Sequence, residues 1–199
     1  MKGKQILSVI FSLSLLGGSP TLIEVGKRLG VEAADIREKV QECLARGLIV
    51  NRHGKLALTK DGRRALRVVF IGGGFEIIHQ GHLYTIEKAK ELGDLLVVVV
   101  AKDSTIRKRK KRDPVAGEEK RVALLSSLRQ VDAAILGVEG NIYDTLEKVK
   151  PDVVALGYDQ HHLESDIARE GKKRGLKLKV VRLDSPIPDV KTSAMLRDF

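Results

Sequence analysis

Two histidines, His79 and His82, lie three residues apart in the segment GGGFEIIHQGH, which spans residues 72–82. The largely apolar run at 66–71 is typical of a buried strand, and glycines at the end of such a strand let a phosphate approach the backbone. A helix that begins near the second histidine would point both imidazoles the same way. The free N–H groups and the positive dipole end of that helix also favour an anion. We therefore predict a nucleotide-phosphate site at this turn.

The glycines alone are weak support for such a site, because glycine-rich turns follow strands in many α/β folds. The competing interpretation is that each histidine is buried and purely structural. Two histidines flanking Gly81 at the carboxyl end of the first strand of an α/β unit are harder to explain in that way. We therefore prefer the phosphate site to the structural interpretation.

From Leu66 onward, segments of strand and helix character alternate, which is typical of a parallel sheet with crossover helices. The strands are expected to be buried on both faces, because their apolar runs are continuous rather than alternating. In such a Rossmann-like α/β sheet, ligands bind outside the carboxyl ends of the strands. The five predicted strands lie at 68–71, 95–101, 133–136, 153–156 and 178–183.

The first helix has to be distinguished from a secretory signal, because Lys2 and Lys4 precede the apolar stretch 6–16. We reject the signal, since the apolar residues recur at helical spacing and the segments that follow need a first helix. The expected apolar face consists of Ile6, Val9, Ile10, Leu13 and Leu16. No other stretch approaches the roughly 20 apolar residues of a membrane span.

Residues 1–66 resemble a small winged helix-turn-helix domain. Thr21 and Glu24 match a capping box at the start of a second helix. The other predicted features are a third helix at 33–46 closed by Gly47, strands at 48–50 and 55–58 around the turn 51–54, and a short helix capped by Thr59.

The role of this first domain stays open between DNA binding and dimerisation or regulation, because fold does not determine function. The third helix, which would enter the major groove, carries balanced acidic and basic residues. The wing and its flank are more basic and offer phosphate contacts from Arg52, Lys55, Lys60, Arg63 and Arg64. DNA and a second copy of the chain, in a homodimer, are therefore both retained as partners.

Composition limits the class of protein. The 199 residues are 43% hydrophobic, which is enough to bury the cores of one or two domains. Cys43 is the single cysteine, which excludes an internal disulfide framework and a CxxC zinc or redox motif and predicts a reducing, cytoplasmic location. The net charge of +10 suits either nucleic acid or an enzyme that handles polyphosphates.

The segment at 72–82 resembles the GxFDxxHxGH signature of the HIGH-type nucleotidyltransferases, the cytidylyltransferase-like superfamily. Further segments follow in the family's order and spacing: VVVVAKDSTIRKRKKRDP, EEKRVALLSSLRQVDAAILG, KPDVVALGYDQ and VKTSAMLRD. The GYDQ and KTS sequences are most similar to archaeal FAD synthases. The resemblance implies an α/β nucleotidyltransferase domain over 67–199 that transfers AMP from ATP to FMN, giving FAD and pyrophosphate, with Mg²⁺ bridging the triphosphate.

The resemblance also implies roles for individual residues. His79 and His82 would donate to the phosphates, chiefly to the α-phosphate as charge builds up in the transition state. Thr192 and Ser193 would open a helix whose amides hold the β- and γ-phosphates, and Asp103 would help to orient the nucleotide. The other predicted nucleotide-binding residues are Gly73, Gly74, Phe75, Gly81, Gly157, Asp159 and Gln160.

Six consecutive positive charges occupy residues 107–112, after the second predicted strand of the sheet. Such a run usually forms a solvated, mobile loop without a further role. The alternative is a loop that closes over the triphosphate or an acceptor phosphate, with Lys108 as a catalytic cation. Arg121 and Arg129 are eight residues apart and are expected to share one helix face, with Arg121 as a further site candidate.

Two positions depart from the family pattern. Glu76 stands where aspartate is usual, and Gly74 stands where many members carry threonine or serine, so a hydroxyl contact to phosphate is lost. His161 and His162 resemble metal ligands, but no third ligand is spaced for them, and we assign them to a solvated loop. No metal site built from protein side chains is predicted, since Mg²⁺ would be held by substrate oxygens and water.

Two other functions fit these residues. A cytidylyltransferase for glycerol phosphate or a related polyol phosphate would differ only in its nucleotide and acceptor. A transcription regulator would use the α/β domain to sense a nucleotide or flavin and the winged helix to bind an operator. The regulator would bind DNA with a steep salt dependence, whereas a pure enzyme would not bind DNA.

Overall fold

The chain divides into two compact units, one up to Arg67 and one from Val68 onward. The computed structural model describes residues 3–139 and 141–185. None of the helices within these ranges has the length and apolar content that a bilayer crossing requires.

The first unit begins with the predicted helix. Its buried apolar residues are Ile6, Leu7 and Ile10, whereas Leu16 lies beyond the end of the helix and is 52% exposed, so its expected place on the buried face was wrong. In chain order the described elements are α1 (Gly3–Leu15), α2 (Leu22–Leu29), α3 (Ala33–Ala45), β1 (Ile49–Arg52), β2 (Lys55–Leu58) and α4 (Lys60–Arg64).

Local capping sets the ends of these helices. The predicted capping box is present, since the Thr21 N–H donates to the Glu24 carboxylate at 2.6 Å and the Glu24 N–H donates to Thr21 Oγ1 at 3.2 Å. Gly47 follows α3 with a φ of 65°, the left-handed conformation that ends many helices. Thr59 caps α4 by accepting a hydrogen bond from the Gly62 N–H at 3.0 Å.

The hairpin turn is shorter than predicted. Arg52 pairs with Lys55 across the two strands, so the chain reverses at His53 and Gly54 rather than over 51–54. Both turn residues have positive φ angles, 52° and 81°, which match the right-handed twist of a two-residue hairpin. The turn presents His53 at its tip, between two basic side chains.

The second unit is an α/β fold with a five-stranded parallel sheet in the order β5-β4-β3-β6-β7. All five predicted strands are confirmed within a residue or two of their ends. The described elements are β3 (Val68–Gly73), α5 (Gln80–Lys90), β4 (Leu95–Val100), α6 (Asp103–Lys110), α7 (Glu118–Ser126), β5 (Ala133–Leu136), α8 (Ile142–Val149), β6 (Val153–Leu156), α9 (Glu164–Lys173) and β7 (Lys179–Arg182).

The strand order reverses beside β3. The chain moves outward from β3 through β4 to β5 and then returns to place β6 on the other side of β3. All six residues of β4 are buried, and so are the first four of β3, as expected for central strands covered on both faces. Loops that leave β3 and β6 therefore diverge around a crevice at their carboxyl ends, which is where ligands bind in open parallel sheets.

Candidate functional site

The two predicted histidines meet at the start of α5. His79 is the residue just before the helix, and its side chain makes no capping hydrogen bond. Its ring lies beside that of His82, with centroids 3.9 Å apart and ring planes inclined by 31°. The Nδ1 atoms of both rings are buried and have no hydrogen-bond partner within the described part of the chain. Unused hydrogen-bonding capacity of this kind is typical of a site that a ligand completes.

Burial lowers the pKa of both imidazoles, because the charged form loses its hydration. At His82, burial together with the neighbouring His79 lowers the pKa to about 4. The Asp159 carboxylate, from the loop after β6, acts on both rings in the opposite direction. A hydrogen bond to the Ile77 backbone also raises the pKa of His82, but by less than burial lowers it. Both rings therefore favour the neutral form, which has a single N–H, and they would recognise an anion as hydrogen-bond donors rather than as fixed cations. At His82 this requires the tautomer with the proton on Nδ1, which gives up the bond to Ile77.

The depressed pKa of His82 predicts a pH-dependent stability. The unfolded chain takes up a proton on this residue near pH 6.5, whereas the folded chain does so only near pH 4. Because the unfolded state binds more protons in this window, the free energy of unfolding should fall as the pH falls. From about pH 7 to about pH 5 we expect His82 to contribute a loss of about 2 kcal/mol.

Urea denaturation of the full chain at these two pH values measures the effect. In a His82→Ala variant, the free energy of unfolding should fall by about 2 kcal/mol less over this pH range than it does in the unmodified protein. The window lies above the range in which carboxylates with lowered pKa values, such as Glu76, take up protons. An unchanged pH dependence in the variant would contradict the assignment.

Phe75 shapes the glycine turn. It is buried and has a φ of 49°, a left-handed conformation that few residues other than glycine adopt. Its ring lies near His82, with centroids 5.3 Å apart, and over Gly73, where an added Cβ would come within 2.9 Å of ring atoms. The structure thus gives Gly73 a packing role, while its predicted contact with a phosphate stays a prediction.

Replacement by alanine should change the stability of the protein differently at the adjacent positions Gly73 and Gly74. A Gly73→Ala change puts a methyl group into the Phe75 ring, and we expect a loss of about 1–3 kcal/mol in the free energy of unfolding. At Gly74 the nearest atoms would lie 3.9 to 4.0 Å from the new Cβ, so Gly74→Ala should be nearly neutral. Urea denaturation of both variants measures their free energies of unfolding. Equal losses in the two variants would contradict this prediction.

Glu76, at the position where the related family usually has aspartate, binds two cations of the basic run. Its buried carboxylate accepts hydrogen bonds from Arg112, at 2.7 Å from Nη1 and 3.1 Å from Nη2, and also pairs with Lys110. Burial would raise the pKa of Glu76, but the hydrogen bonds from Arg112 and Lys110 outweigh it and lower the pKa to about 2. Glu76 is therefore ionised and acts as an anchor for cations.

The basic run at 107–112 is largely exposed, as expected, but the expectation that all of it is a loop was wrong. The first four of these residues form the last turn of α6, and Lys111 follows the helix in a left-handed conformation. The helix holds Lys110 near the glycine turn, with its Nζ 4.0 Å from where a Cβ of Gly74 would lie. Lys108 is exposed on the same helix, and its catalytic role stays a prediction.

Arg121 is almost completely buried and joins two parts of the site. It donates to the Gly74 carbonyl at 2.6 Å, to the Ala116 carbonyl at 2.9 Å and to Asp103 Oδ1 at 2.6 Å. The Asp103 carboxylate is thus paired with Arg121, and its predicted role in orienting the nucleotide stays a prediction. Arg129 does not share the face of Arg121 as expected, because α7 ends three residues before it and Arg129 is exposed.

The loop after β6 brings other predicted residues to the histidines. Gln160 Nε2 donates to the Gly72 carbonyl at 2.6 Å, which ties this loop to the end of β3. The backbone turns at Gly157, whose carbonyl accepts from the Gln160 N–H at 3.2 Å. Asp159, between them, is exposed and acts electrostatically on His79 and His82. The strand order therefore assembles one site from the segments after β3 and β6.

Arg182 was not singled out from the sequence. It ends β7, directly opposite Leu156 at the end of β6, and its guanidinium binds the loop that leaves β6. No local pattern marks such a residue, because its partners lie 18 to 25 positions away in the chain. Only the pairing of β6 with β7 reveals the contact.

Several other predicted residues can be placed only in part. Gly81 is the second residue of α5, whereas Thr192 and Ser193 lie outside the described residues. His161 is exposed as expected, but His162 is half-buried, and burial with the nearby Arg109 and His161 lowers the pKa of His162. Within 3–139 and 141–185, no group of three or more His, Cys, Asp or Glu side chains is placed to hold a metal ion.

The residues of this site lie within a part of the chain that is similar to known proteins. A family model described as cytidylyltransferase-like matches residues 70–197. The FAD synthase of Methanothermus fervidus is 51% identical over 114 residues, which cover 56% of this chain and 78% of the relative. The FAD synthase of Thermoplasma volcanium is 43% identical over 129 residues, covering 65% and 90% respectively.

A solved structure described as the lipopolysaccharide core biosynthesis protein from Thermoplasma volcanium GSS1 is also similar. It shares 43% sequence identity with this chain and superposes with a TM-score of 0.58. The match covers 60% of this chain and 98% of that one. The resemblance therefore extends over almost the whole of the solved protein.

Proposed function

Because this chain belongs to the cytidylyltransferase-like family, we propose that it transfers the AMP unit of ATP to FMN, giving FAD and pyrophosphate. The observation that carries the proposal is its similarity, at 43 to 51% identity, to proteins named FAD synthase. The crevice between β3 and β6 supports it, since buried histidine nitrogen atoms and nearby cations suit a nucleotide with several phosphates.

The reaction needs no covalent enzyme intermediate. An oxygen of the FMN phosphate attacks the α-phosphorus of ATP in line, and the bond from that phosphorus to the bridging oxygen breaks, so that pyrophosphate leaves with the electron pair. His79 and His82 would donate to the oxygens of the α-phosphate, where negative charge grows in the transition state. We propose that Mg²⁺ arrives with ATP and neutralises part of the triphosphate charge, held mainly by substrate oxygens and water.

The assay uses the purified full chain with Mg²⁺, FMN and either ATP or CTP. Chromatography separates the flavins while pyrophosphate is measured in the same sample. FAD formed with ATP is the expected result. If neither nucleotide gives a flavin dinucleotide, FMN is not the acceptor, and CTP with glycerol phosphate tests the cytidylyltransferase alternative. The absence of products there too would favour a nucleotide- or flavin-sensing regulator.

We further propose that residues 1–66 form a winged helix-turn-helix domain that contacts DNA, and that 67–199 form the catalytic domain. The supporting observation is the hairpin, where Arg52 and Lys55 stand directly opposite each other. Like charges in this position repel, and a bound polyanion would relieve the repulsion. The location we propose is the cytoplasm, in keeping with Cys43 as a free, buried thiol.

Titration of fluorescent duplex DNA at two salt concentrations tests this second activity. We expect DNA binding that weakens steeply as the salt concentration rises. An Arg52→Gln, Lys55→Gln double variant should bind DNA more weakly than the unmodified protein. If no DNA binding occurs at low salt, the DNA partner is refuted. Sedimentation of the same protein without DNA measures whether the unit serves as a homodimer contact.

A further inference from the structure

The guanidinium of Arg182 uses its nitrogen atoms to hold one loop, the segment 157–162 after β6. Nη1 donates to the carbonyl oxygens of Gly157 and Gln160, at 3.0 Å in each case, and Nη2 donates to that of His162 at 2.6 Å. The loop is thus held at its beginning, middle and end by a single side chain. Such a planar fork keeps its geometry better than the flexible ammonium of lysine would.

A carboxylate fixes the guanidinium itself. Glu164, the first residue of α9, accepts from Arg182 Nε at 2.6 Å and from Nη2 at 2.9 Å. This two-point contact orients the plane of the guanidinium toward the loop carbonyls. The position of Arg182 at the end of β7, opposite the end of β6, supplies the rest of the geometry.

The loop held in this way carries two groups that reach other parts of the site. Gln160 Nε2 reaches the Gly72 carbonyl at 2.6 Å, and the Asp159 carboxylate acts on His79 and His82. Lys110 also acts on His82, but it comes from α6 and does not depend on the loop. Movement of the loop would therefore change the surroundings of both imidazoles while leaving the basic helix in place.

We propose that Arg182 is a positioning residue of the active site, which holds the 157–162 loop so that Gln160 binds the Gly72 carbonyl and Asp159 stays close enough to act on the histidine pair. It makes no hydrogen bond to His79 or His82 and would not contact the reacting atoms. Its effect on the reaction rests on the proposed function, since the loop borders the crevice where the nucleotide phosphates would bind. Its effect on the imidazoles does not require a substrate.

The test compares Arg182→Gln with Asp159→Asn and with a matched control, Arg174→Gln. Arg174 is a similarly half-buried arginine of the same unit. It pairs with Glu170 at 2.6 Å and follows α9 at the opposite end of that helix from Glu164. Imidazole titrations by NMR are recorded on the full chain without substrates, and FAD formation is measured with ATP and FMN. Arg182→Lys serves as a second variant in case the glutamine variant does not fold.

Arg182→Gln is expected to lower the apparent pKa values of the His79 and His82 signals, in the same direction as Asp159→Asn. It should also reduce kcat/KM by about tenfold or more, because a misplaced loop misplaces substrate. The pKa values and kcat/KM of Arg182→Lys should lie between those of Arg182→Gln and those of the unmodified protein. Arg174→Gln should change neither measurement. Titration curves identical to those of the unmodified protein would overturn the proposal. If the unmodified protein makes no FAD, the proposed function fails, while the titrations still test Arg182.

Discussion

A His82→Ala variant is expected to lower kcat by about 10²–10³-fold, the loss typical of removing one preorganised donor to a developing negative charge. The KM for ATP should change by no more than about threefold, because the contact strengthens mainly in the transition state. The structural basis is the buried imidazole, which is neutral at neutral pH and whose Nδ1 has no partner in the described residues. Steady-state kinetics of FAD formation measure both constants.

The matched control is His53→Asn, at the tip of the hairpin in the other unit. Asparagine tolerates the positive φ of 52° at this position, so the turn should keep its shape. Its kcat and KM should equal those of the unmodified protein. A His82→Ala variant that loses affinity for ATP as strongly as it loses turnover would contradict a role in the transition state.

An Arg121→Met variant is expected to lower the free energy of unfolding of the second unit by about 3 kcal/mol or more, the typical cost of leaving one member of a buried ion pair alone. The Arg121 side chain is only 1% exposed, and its loss leaves the Asp103 carboxylate unpaired. The Gly74 carbonyl also loses its partner at 2.6 Å, so the glycine turn should move. Urea denaturation gives the stability, and FAD formation should fall in parallel.

Arg129→Met provides the control for this change. Arg129 is an exposed arginine of the same unit, and its replacement should shift stability by no more than about 0.5 kcal/mol. A double variant, Arg121→Met with Asp103→Asn, should recover part of the lost stability, because the neutral amide needs no cation. If Arg121→Met and Arg129→Met change the free energy of unfolding equally, the buried contacts of Arg121 do not contribute to stability.

Much of the fold could be predicted because its signals are local. Continuous apolar runs marked the five strands, and the Thr21 capping box and the Thr59 cap depend on residues three positions apart. Where a local signal was ambiguous, the prediction was less accurate. The charges at 107–112 indicated a loop, but the first four continue α6, and Lys110 and Arg112 bind Glu76, which lies more than 30 residues earlier in the chain.

In the candidate site too, some features follow from local spacing in the sequence and others only from the tertiary structure. The spacing of His79 and His82 by itself determined that the two imidazoles would lie on one helical turn, because a helix places residues three apart on the same side. The sequence also determined the family, through motifs at fixed positions along the chain. Only the tertiary structure showed that Asp159 acts electrostatically on that pair, that Arg121 binds the Gly74 carbonyl and that Arg182 holds the 157–162 loop. The physical reason is that these contacts depend on the order of the strands and the packing of helices beside them, which bring together residues 20 to 88 positions apart that no local pattern connects.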